Sequence, residues 1–470
     1  MRKFTSIFVA LMMAAAVYAE QVMTVHGKAN DMSVSVFNTN SIELSQGKAS
    51  FDLELEKNQK DTVIPFAEID SITFNDPVDP SYVQIIYSGM AAKVINPYED
   101  KGLNVVVNKG DVSVTSTMEE KNVTFYMTGL ATDGSFTITP NKKFNMLLNN
   151  LTLTNQDGPA IKILDDKEAR ITLADGSSNT LYGAGLVDTN AALWSKAQVL
   201  FTPQLDSLNK LIDGGNEGNG SLLISSENGH GIYSSDYVRI DAGSLTFSNI
   251  EGDGINTKDY FEMNDGSVSM DTIQGDAVDC NDHIFVNGGL LSIKSYSDGA
   301  KALKCDSMIN ILGGTVDITM TGKAAKAIKN DSADVRIENA DVNIKMTGDL
   351  LIEIIENVED RSYAAGIKSE NSVFIKNSQV TVNLGANTTG GKGINATMGI
   401  SITEGSVVNV TADGVKDEDA LSGGKVVAMK TDGTLLVSDS DVTVSCANKD
   451  ATKTVDALYV DGEITGYTAP

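Results

Sequence analysis

Three aspartates, Asp236, Asp259 and Asp282, stand 23 residues apart. A fixed step of that size places side chains one above another when the chain coils, and stacked carboxylates repel unless a cation lies between them. Asp306 and Asp331 fall near the same place, while Asp253 and Asp276 form a second column with Asp279 beside it. Ca²⁺ takes about 6–8 oxygens, which two or three aspartates plus loop carbonyls can supply. Asp236, Asp253, Asp259, Asp276, Asp279 and Asp282 are therefore the candidate ligands, and Ca²⁺ the expected cofactor. The competing explanation is that aspartate simply favours turns and each carboxylate is solvated.

Lysines follow. Lys301, Lys304, Lys326, Lys329 and Lys368 take the positions that Asp253, Asp276 and Asp279 hold in neighbouring units. They can pair with those carboxylates, which is the common outcome for surface charge. Lys304 or Lys329 beside Asp279, if unprotonated, could instead take the proton beside a uronate carboxylate, as a β-eliminating lyase requires. Nearby carboxylates favour the protonated form, so binding without cleavage is expected and no residue is assigned as catalytic. Tyr237 and Tyr260 align, with His283 in the next unit; Tyr233, Phe285 and Phe374 are further rings, and Trp194 is placed in a different region. Tyr233, Tyr237, Tyr260, His283, Lys304 and Lys329 are the candidate carbohydrate contacts. A flat row of rings would suit a glycan chain; rings that merely cover core edges would give the same pattern.

Cys280 and Cys305 occupy one inward position in consecutive units, which suits either a disulfide or a reduced packed pair. Cys446 is left over. His230 and His283 stand apart from the thiols, against a zinc site. No Gly-x-Ser-x-Gly, phosphate-loop or dinucleotide motif occurs.

The elements that must position these residues are repeats. The first aliphatic of each unit recurs as Ile232, Ile255, Val278, Leu303, Ile328, Ile367 and Ile394, in steps of 23, 23, 25, 25, 39 and 27 residues. Such a period means a solenoid or array. Within each unit, residues alternate over short runs broken by Asn, Asp and Gly, the pattern of three short strands and tight turns. No room remains for a crossover helix, so parallel pairing must come from coil stacking on coil at about 4.8 Å. The expected fold is all-β: a right-handed parallel β-helix solenoid preceded by a small β module. Further inward ladders are Ile240, Met263, Val286, Ile311, Ile337, Ile375 and Ile402, and Leu245, Val268, Leu291, Val316, Val342, Val380 and Val407. A polar one runs Ser234, Thr257, Cys280, Cys305, Asn330, Ser369 and Ala396. Residues 203–220 and 346–362 exceed the repeat, and 203–212 and 350–358 are candidates for short helices.

Residues 1–19 read as an export signal: Arg2 and Lys3, an apolar run, then Val17-Tyr18-Ala19. The expected organisation is a β module at 20–75, a linker at 76–81 containing Pro77 and Pro80, a β-helix at 82–455 and a tail at 456–470. The module could cap the first coil or dock elsewhere. A secreted or cell-surface monomer, with no membrane insertion, is expected. Against 36 Lys+Arg stand 63 Asp+Glu, a net charge of −27. That surface disfavours nucleic acid and anionic membranes and suits neutral polymers, or anionic ones bridged by a divalent cation. Three cysteines in 470 residues exclude a disulfide scaffold.

One ordered series carries a resemblance. Leu-Leu-Asn-Asn-Leu-Thr-Leu-Thr-Asn-Gln-Asp-Gly-Pro-Ala-Ile at 147–161 is followed by Ile-Thr-Leu-Ala-Asp-Gly-Ser-Ser-Asn-Thr-Leu at 171–181 and then by the Asp-Gly-Ile and Gly-Gly units. Residues 82–415 thereby resemble the secreted bacterial carbohydrate-binding β-helix family that binds cellulose and pectic polymers and is similar in shape to calcium-dependent pectate lyases. The resemblance implies polysaccharide binding with bound Ca²⁺. The expected function is recognition of plant cell-wall polysaccharide by a calcium-loaded β-helix face. The alternatives are a calcium-dependent pectate-type lyase and a structural surface protein or adhesin.

Overall fold

The computed structural model describes strands between residues 22 and 75 and then residues 78–467, apart from 185–188, 207–209, 421–423 and 447–456. The export segment lies outside the described residues. Contacts divide the chain into two units, Met1–Pro80 and Ser81–Pro470. In the first, Val22–Gly27 pairs antiparallel with Met32–Ser35 and Ile69–Asn75, and Lys48–Leu53 pairs antiparallel with Thr39–Ser45 and Thr62–Pro65.

The second unit is a parallel β-helix. One coil is Ile255–Thr257, Phe261–Met263 and Ser267–Ile273. The first of these strands joins a 14-stranded sheet; the other two join a 25-stranded sheet that covers the remaining sides. Ile232, Ile255, Val278, Leu303, Ile328, Ile367 and Ile394 are successive register partners, each fully buried. Coil lengths of 23 to 39 residues all return to this register because the excess is spent in turns and the ladder position is what burial selects. Burying each such side chain is worth about 1.5–3 kcal/mol. At its start the solenoid turns back on itself: Val83–Gly89 pairs antiparallel with Ala91–Ile95, and Leu103–Asn108 with Asp111–Ser116.

Four details differ from the sequence reading. The inward residue after Val380 is Val408, not Val407; Val407 pairs with Gln379 and is 39% exposed. Two adjacent valines fit either face, and a one-residue slip inverts a strand. Residues 350–358 are not helical: Leu351–Ile355 and Val358–Ser362 form a hairpin, joined through Glu356 and Asn357, both at positive φ. That is the two-residue turn that twisted antiparallel strands prefer, and Ile352, Ile354, Ile355 and Val358 are β-branched residues suited to strands. The described part of 203–212 likewise contains an antiparallel bridge, Leu205 to Leu211, in place of a helix. Finally, Leu458–Val460 and Ile464–Thr465 continue the parallel ladders, so residues read as a tail belong to the last coil.

Candidate functional site

The outer face of the 14-stranded sheet has two outward-directed columns of residues. In the first column Trp194, Tyr233, Asn256 and Asp279 are successive register partners. Lys304, Lys329, Lys368, Asn395 and Lys430 continue it. Three positions earlier in each strand runs the second column, in which Lys301 is opposite Lys326, Lys326 opposite Ala365 and Ala365 opposite Lys392. Asp276 precedes Lys301 there and accepts its N–H at 2.7 Å; Asp253 precedes Asp276 and accepts its N–H at 2.7 Å.

These inner aspartates are already supplied with donors. Asp253 also accepts the Asn256 amide at 2.8 Å, and His230 Nδ1 lies 2.9 Å from its N and 3.3 Å from its Oδ2. Burial alone would raise the Asp253 carboxyl, but His230, Asn256 and the Asp276 N–H hold it below the usual range. Gly275 has no room for a side chain, since a Cβ would sit 2.3 Å from Asp253 Oδ1. Asp276 has Lys301 and Lys304 ammonium groups at 3.8 and 3.7 Å, and Asp279 has Lys304 at 3.0 Å. Burial dominates at Asp276 and raises its carboxyl despite them. Asp253 and Asp276 in the second column and Asp279 in the first thus form one cluster, held by lysine ammonium groups and backbone N–H donors. Those donors occupy part of the acceptor capacity that a calcium ion would use.

Asp236, Asp259 and Asp282 differ. Their backbones stack, Asp259 N donating to Asp236 O at 3.2 Å and Asp282 N to Asp259 O at 3.0 Å. Asp236 takes the Gln198 amide and its neighbour Tyr237 N–H, and Asp282 has His283 at 2.7 Å. Among the described residues the Asp259 carboxylate has no donor. Partial burial and then Asp236 and Asp282 push it above the usual carboxylate range. Among the described residues no three His, Cys, Asp or Glu side chains converge into a preformed metal cluster.

The rings are arranged in stacks along the axis. Tyr237 and Tyr260 lie 4.4 Å apart at 10°, and Trp194 and Tyr233 5.9 Å apart at 11°. Trp194 therefore belongs with Tyr233, contrary to the sequence placement; the matching Leu-Trp-Ser and Ile-Tyr-Ser triplets carried that signal. Rings stacked on one another cover each other's faces and present edges and hydroxyls outward. His283 stacks on Phe285 at 5.6 Å. Next to Tyr233, the Oδ1 of Asn256, a residue only 8% exposed, has no hydrogen-bond partner among the described residues.

The lysines separate into two kinds. Lys304 is held above its usual range: burial opposes this, but its hydrogen bond to Asp279 and the charges of Asp279, Asp276 and Asp253 prevail. Lys326 is pulled down to about 8 by burial and by Lys301, Lys368 and Lys329, and Lys392 to about 8 by burial and by Lys430, Lys368 and Lys326. The expectation that carboxylates favour the protonated form agrees with the direction at Lys304, while Lys326, which lies farther from the aspartates, is pulled the other way. Lys329 pairs with Asp331, and Lys368 with Glu370 at 2.7 Å. Cys280 and Cys305 are free thiols facing the carbonyls of His283 and Met308, at 3.2 and 3.4 Å.

A family model described as carbohydrate-binding domain-containing protein matches residues 109–414. The chain belongs to this carbohydrate-binding domain family. The matched span holds both columns of the sheet face up to Asn395 and every candidate residue named above. No curated protein matches the chain. A solved structure of a polysaccharide lyase-like protein from C. thermocellum, a gadolinium derivative, is 17% identical over 57% of this chain and 95% of that one, with a TM-score of 0.35. Among the described residues no helix is long and apolar enough to cross a membrane.

Proposed function

We propose that this carbohydrate-binding protein is extracellular and holds a plant cell-wall polysaccharide, cellulosic or pectic, along the outer face of the 14-stranded sheet. The observation that carries the placement is the unpartnered Asn256 Oδ1 between Tyr233 and Asp279. A buried acceptor without a donor costs about 1–3 kcal/mol, and a small turn of the Asn256 side chain toward the surface would let a sugar hydroxyl satisfy it. Asp253 and Asp279 offer further acceptors, and Tyr233 its hydroxyl. The ligand is gripped by hydrogen bonds to ring edges and carboxylates, since the stacked rings leave little flat surface. Asn256→Ala and Tyr233→Ala should each weaken binding of cello-oligosaccharides or oligogalacturonates about fivefold or more by calorimetry. Unchanged affinity in both would remove the ligand from this face.

Calcium, in this reading, belongs to Asp236, Asp259 and Asp282, where repulsion is least compensated; their oxygens would hold the ion and it would neutralise the column. Binding to the native state raises stability by mass action. Chelator should therefore lower the melting temperature of the wild type and leave Asp259→Asn unmoved. Protein without metal after dialysis against calcium would end this part of the proposal.

A second reading, β-elimination, is favoured by Lys326. With its pKa near 8, a neutral Nζ could take the C5 proton of a uronate. The C–H pair would form the C4–C5 double bond, and the C4–O bond would break with its electrons leaving on oxygen, which takes a proton from water. A rise in unsaturated-product absorbance on polygalacturonate, abolished by Lys326→Ala, would establish it; no rise would leave binding alone.

A further inference from the structure

A second side of the solenoid carries a polar group that the fold does not use. The middle strand of each coil, such as Phe261–Met263, joins the 25-stranded sheet and directs its central residue outward. Glu262, Phe285, Asn310, Arg336 and Phe374 are successive register partners in that column. Asn310 stands between Ile309 and Ile311, which are fully buried, so alternation points it outward. It is nevertheless only 7% exposed, and its Oδ1 has no hydrogen-bond partner among the described residues. Nearby amides on the same side are answered by neighbouring coils: Asn264 donates to Asp241 Oδ1 at 2.8 Å, and Asn287 to Asn264 Oδ1 at 2.8 Å.

The residues on either side of Asn310 are engaged elsewhere. The half-buried Phe285 ring lies 5.6 Å from the His283 ring at 13° and meets Tyr260, one coil earlier, edge-on at 6.3 Å. Arg336 lies over the Phe374 ring, 4.7 Å from its centre, and its Nη2 donates to Asp334 at 3.0 Å. A guanidinium carries five N–H donors, so donors remain for another acceptor. One coil step is about 4.8 Å. Ring, amide and guanidinium therefore stand in a row spanning about 10 Å along the axis.

We propose that Phe285, Asn310 and Arg336 form a second subsite, for a neutral glycan chain, so that one molecule holds two chains on two sides of the solenoid. The proposal rests on the carbohydrate-binding reading and adds a face to it. An acceptor without a donor, a donor group with spare N–H and an apolar ring are together complementary to a vicinal diol on a pyranose. After a small turn of the Asn310 side chain toward the surface, one hydroxyl donates to its Oδ1. The next hydroxyl accepts from the Arg336 guanidinium, since a hydroxyl both donates and accepts. The C–H face of the sugar then lies against Phe285. A carboxylated sugar is disfavoured, because Glu262 and Asp334 bracket the row and Asp334 already pairs with Arg336. The turns that carry Asp259, Asp282 and Asp306 separate this row from Asn256, so a straight chain on one face does not reach the other.

The test is calorimetry of the full chain with short neutral probes: cello-, xylo- and galacto-oligosaccharides. At least one should bind with two sites per chain. Asn310→Leu and Phe285→Ala should each weaken one of the two sites about fivefold or more and leave the other unchanged. Asn310→Leu replaces an unanswered buried amide by an apolar group of similar size, so its melting temperature should be equal to the wild type or higher. Loss of a site in that variant is then a loss of recognition and not of folding. Lys376→Gln, which alters a lysine paired with Glu404, should leave both sites intact. A single site that Asn256→Ala removes would overturn the second subsite and leave the Asn256 placement standing. Two sites that both survive Asn310→Leu would overturn it as well, as would the absence of neutral binding altogether. A single site that Asn310→Leu removes and Asn256→Ala leaves intact supports this subsite and removes the ligand from the other face.

Discussion

The two halves of one sheet face meet the same problem in opposite ways. From Tyr233 to Asp279 the outward columns carry aspartates, each satisfied by the coil that follows: the Asp276 N–H serves Asp253, and the Lys301 N–H serves Asp276. From Lys301 to Lys430 the columns carry lysines, and a lysine cannot accept a backbone N–H. It must find an acceptor or crowd its neighbours: burial and then the neighbouring lysines pull Lys326 down, while Lys304, next to the aspartates, is held up. A repeating backbone thus tolerates a column of acids more readily than a column of bases, because its N–H groups can be aimed at carboxylates.

The largest effect should not distinguish the halves at all. Ile255→Ala and Ile328→Ala remove equivalent, fully buried ladder residues and should each cost about 3 kcal/mol in chemical denaturation. Two separate transitions, or a lowered m value in one variant only, would mean that the solenoid does not unfold as one cooperative body. Next comes the junction. Asp276→Ala leaves the Lys301 N–H without its acceptor and strips Lys301 and Lys304 of a carboxylate, so a loss of about 2 kcal/mol is expected. A neutral result would show that backbone capture of carboxylates is not what stabilises the acidic half.

The smallest effect has the opposite sign. Lys326 has a folded pKa of about 8 against an ordinary 10.5. Below pH 8 the folded state bears the full cost of its charge; between pH 8 and 10.5 the unfolded chain binds more protons, so stability rises with pH. Lys326→Met keeps the apolar stem and removes the charge. Screening at this half-buried site reduces the benefit to about 1 kcal/mol at pH 7. Melting curves should show that advantage shrinking through pH 8–10.5 and absent above it. A destabilised variant at pH 7 would mean that the lysine strip is not crowded.

Much of this was legible in the chain because a β-helix turns sequence period into vertical neighbourhood. Ile232 through Ile394, the stacked Asp236, Asp259 and Asp282, and the pairing of Tyr237 with Tyr260 all follow from equal steps. Where the period is ambiguous or broken, sequence misleads. Val407 and Val408 are both valines, and only packing chooses the inward one. Trp194 lies 39 residues before Tyr233, across a long excursion, so its stack on that ring was not apparent. Ile352 and Ile354 belong to a hairpin because two positive-φ residues at 356 and 357 close it.

By itself, then, the sequence determined the solenoid, its ladders and which charges recur, since burial and period are properties of residue order. Tertiary structure decided which of those charges are satisfied. Asp253, Asp276 and Asp279 recur much as Asp236 and Asp259 do, yet backbone N–H groups and lysines reach the first set, while Asp259 has no donor among the described residues. Partnership depends on directions and distances of a few ångströms around each coil, and identical spacing along the chain leaves those open.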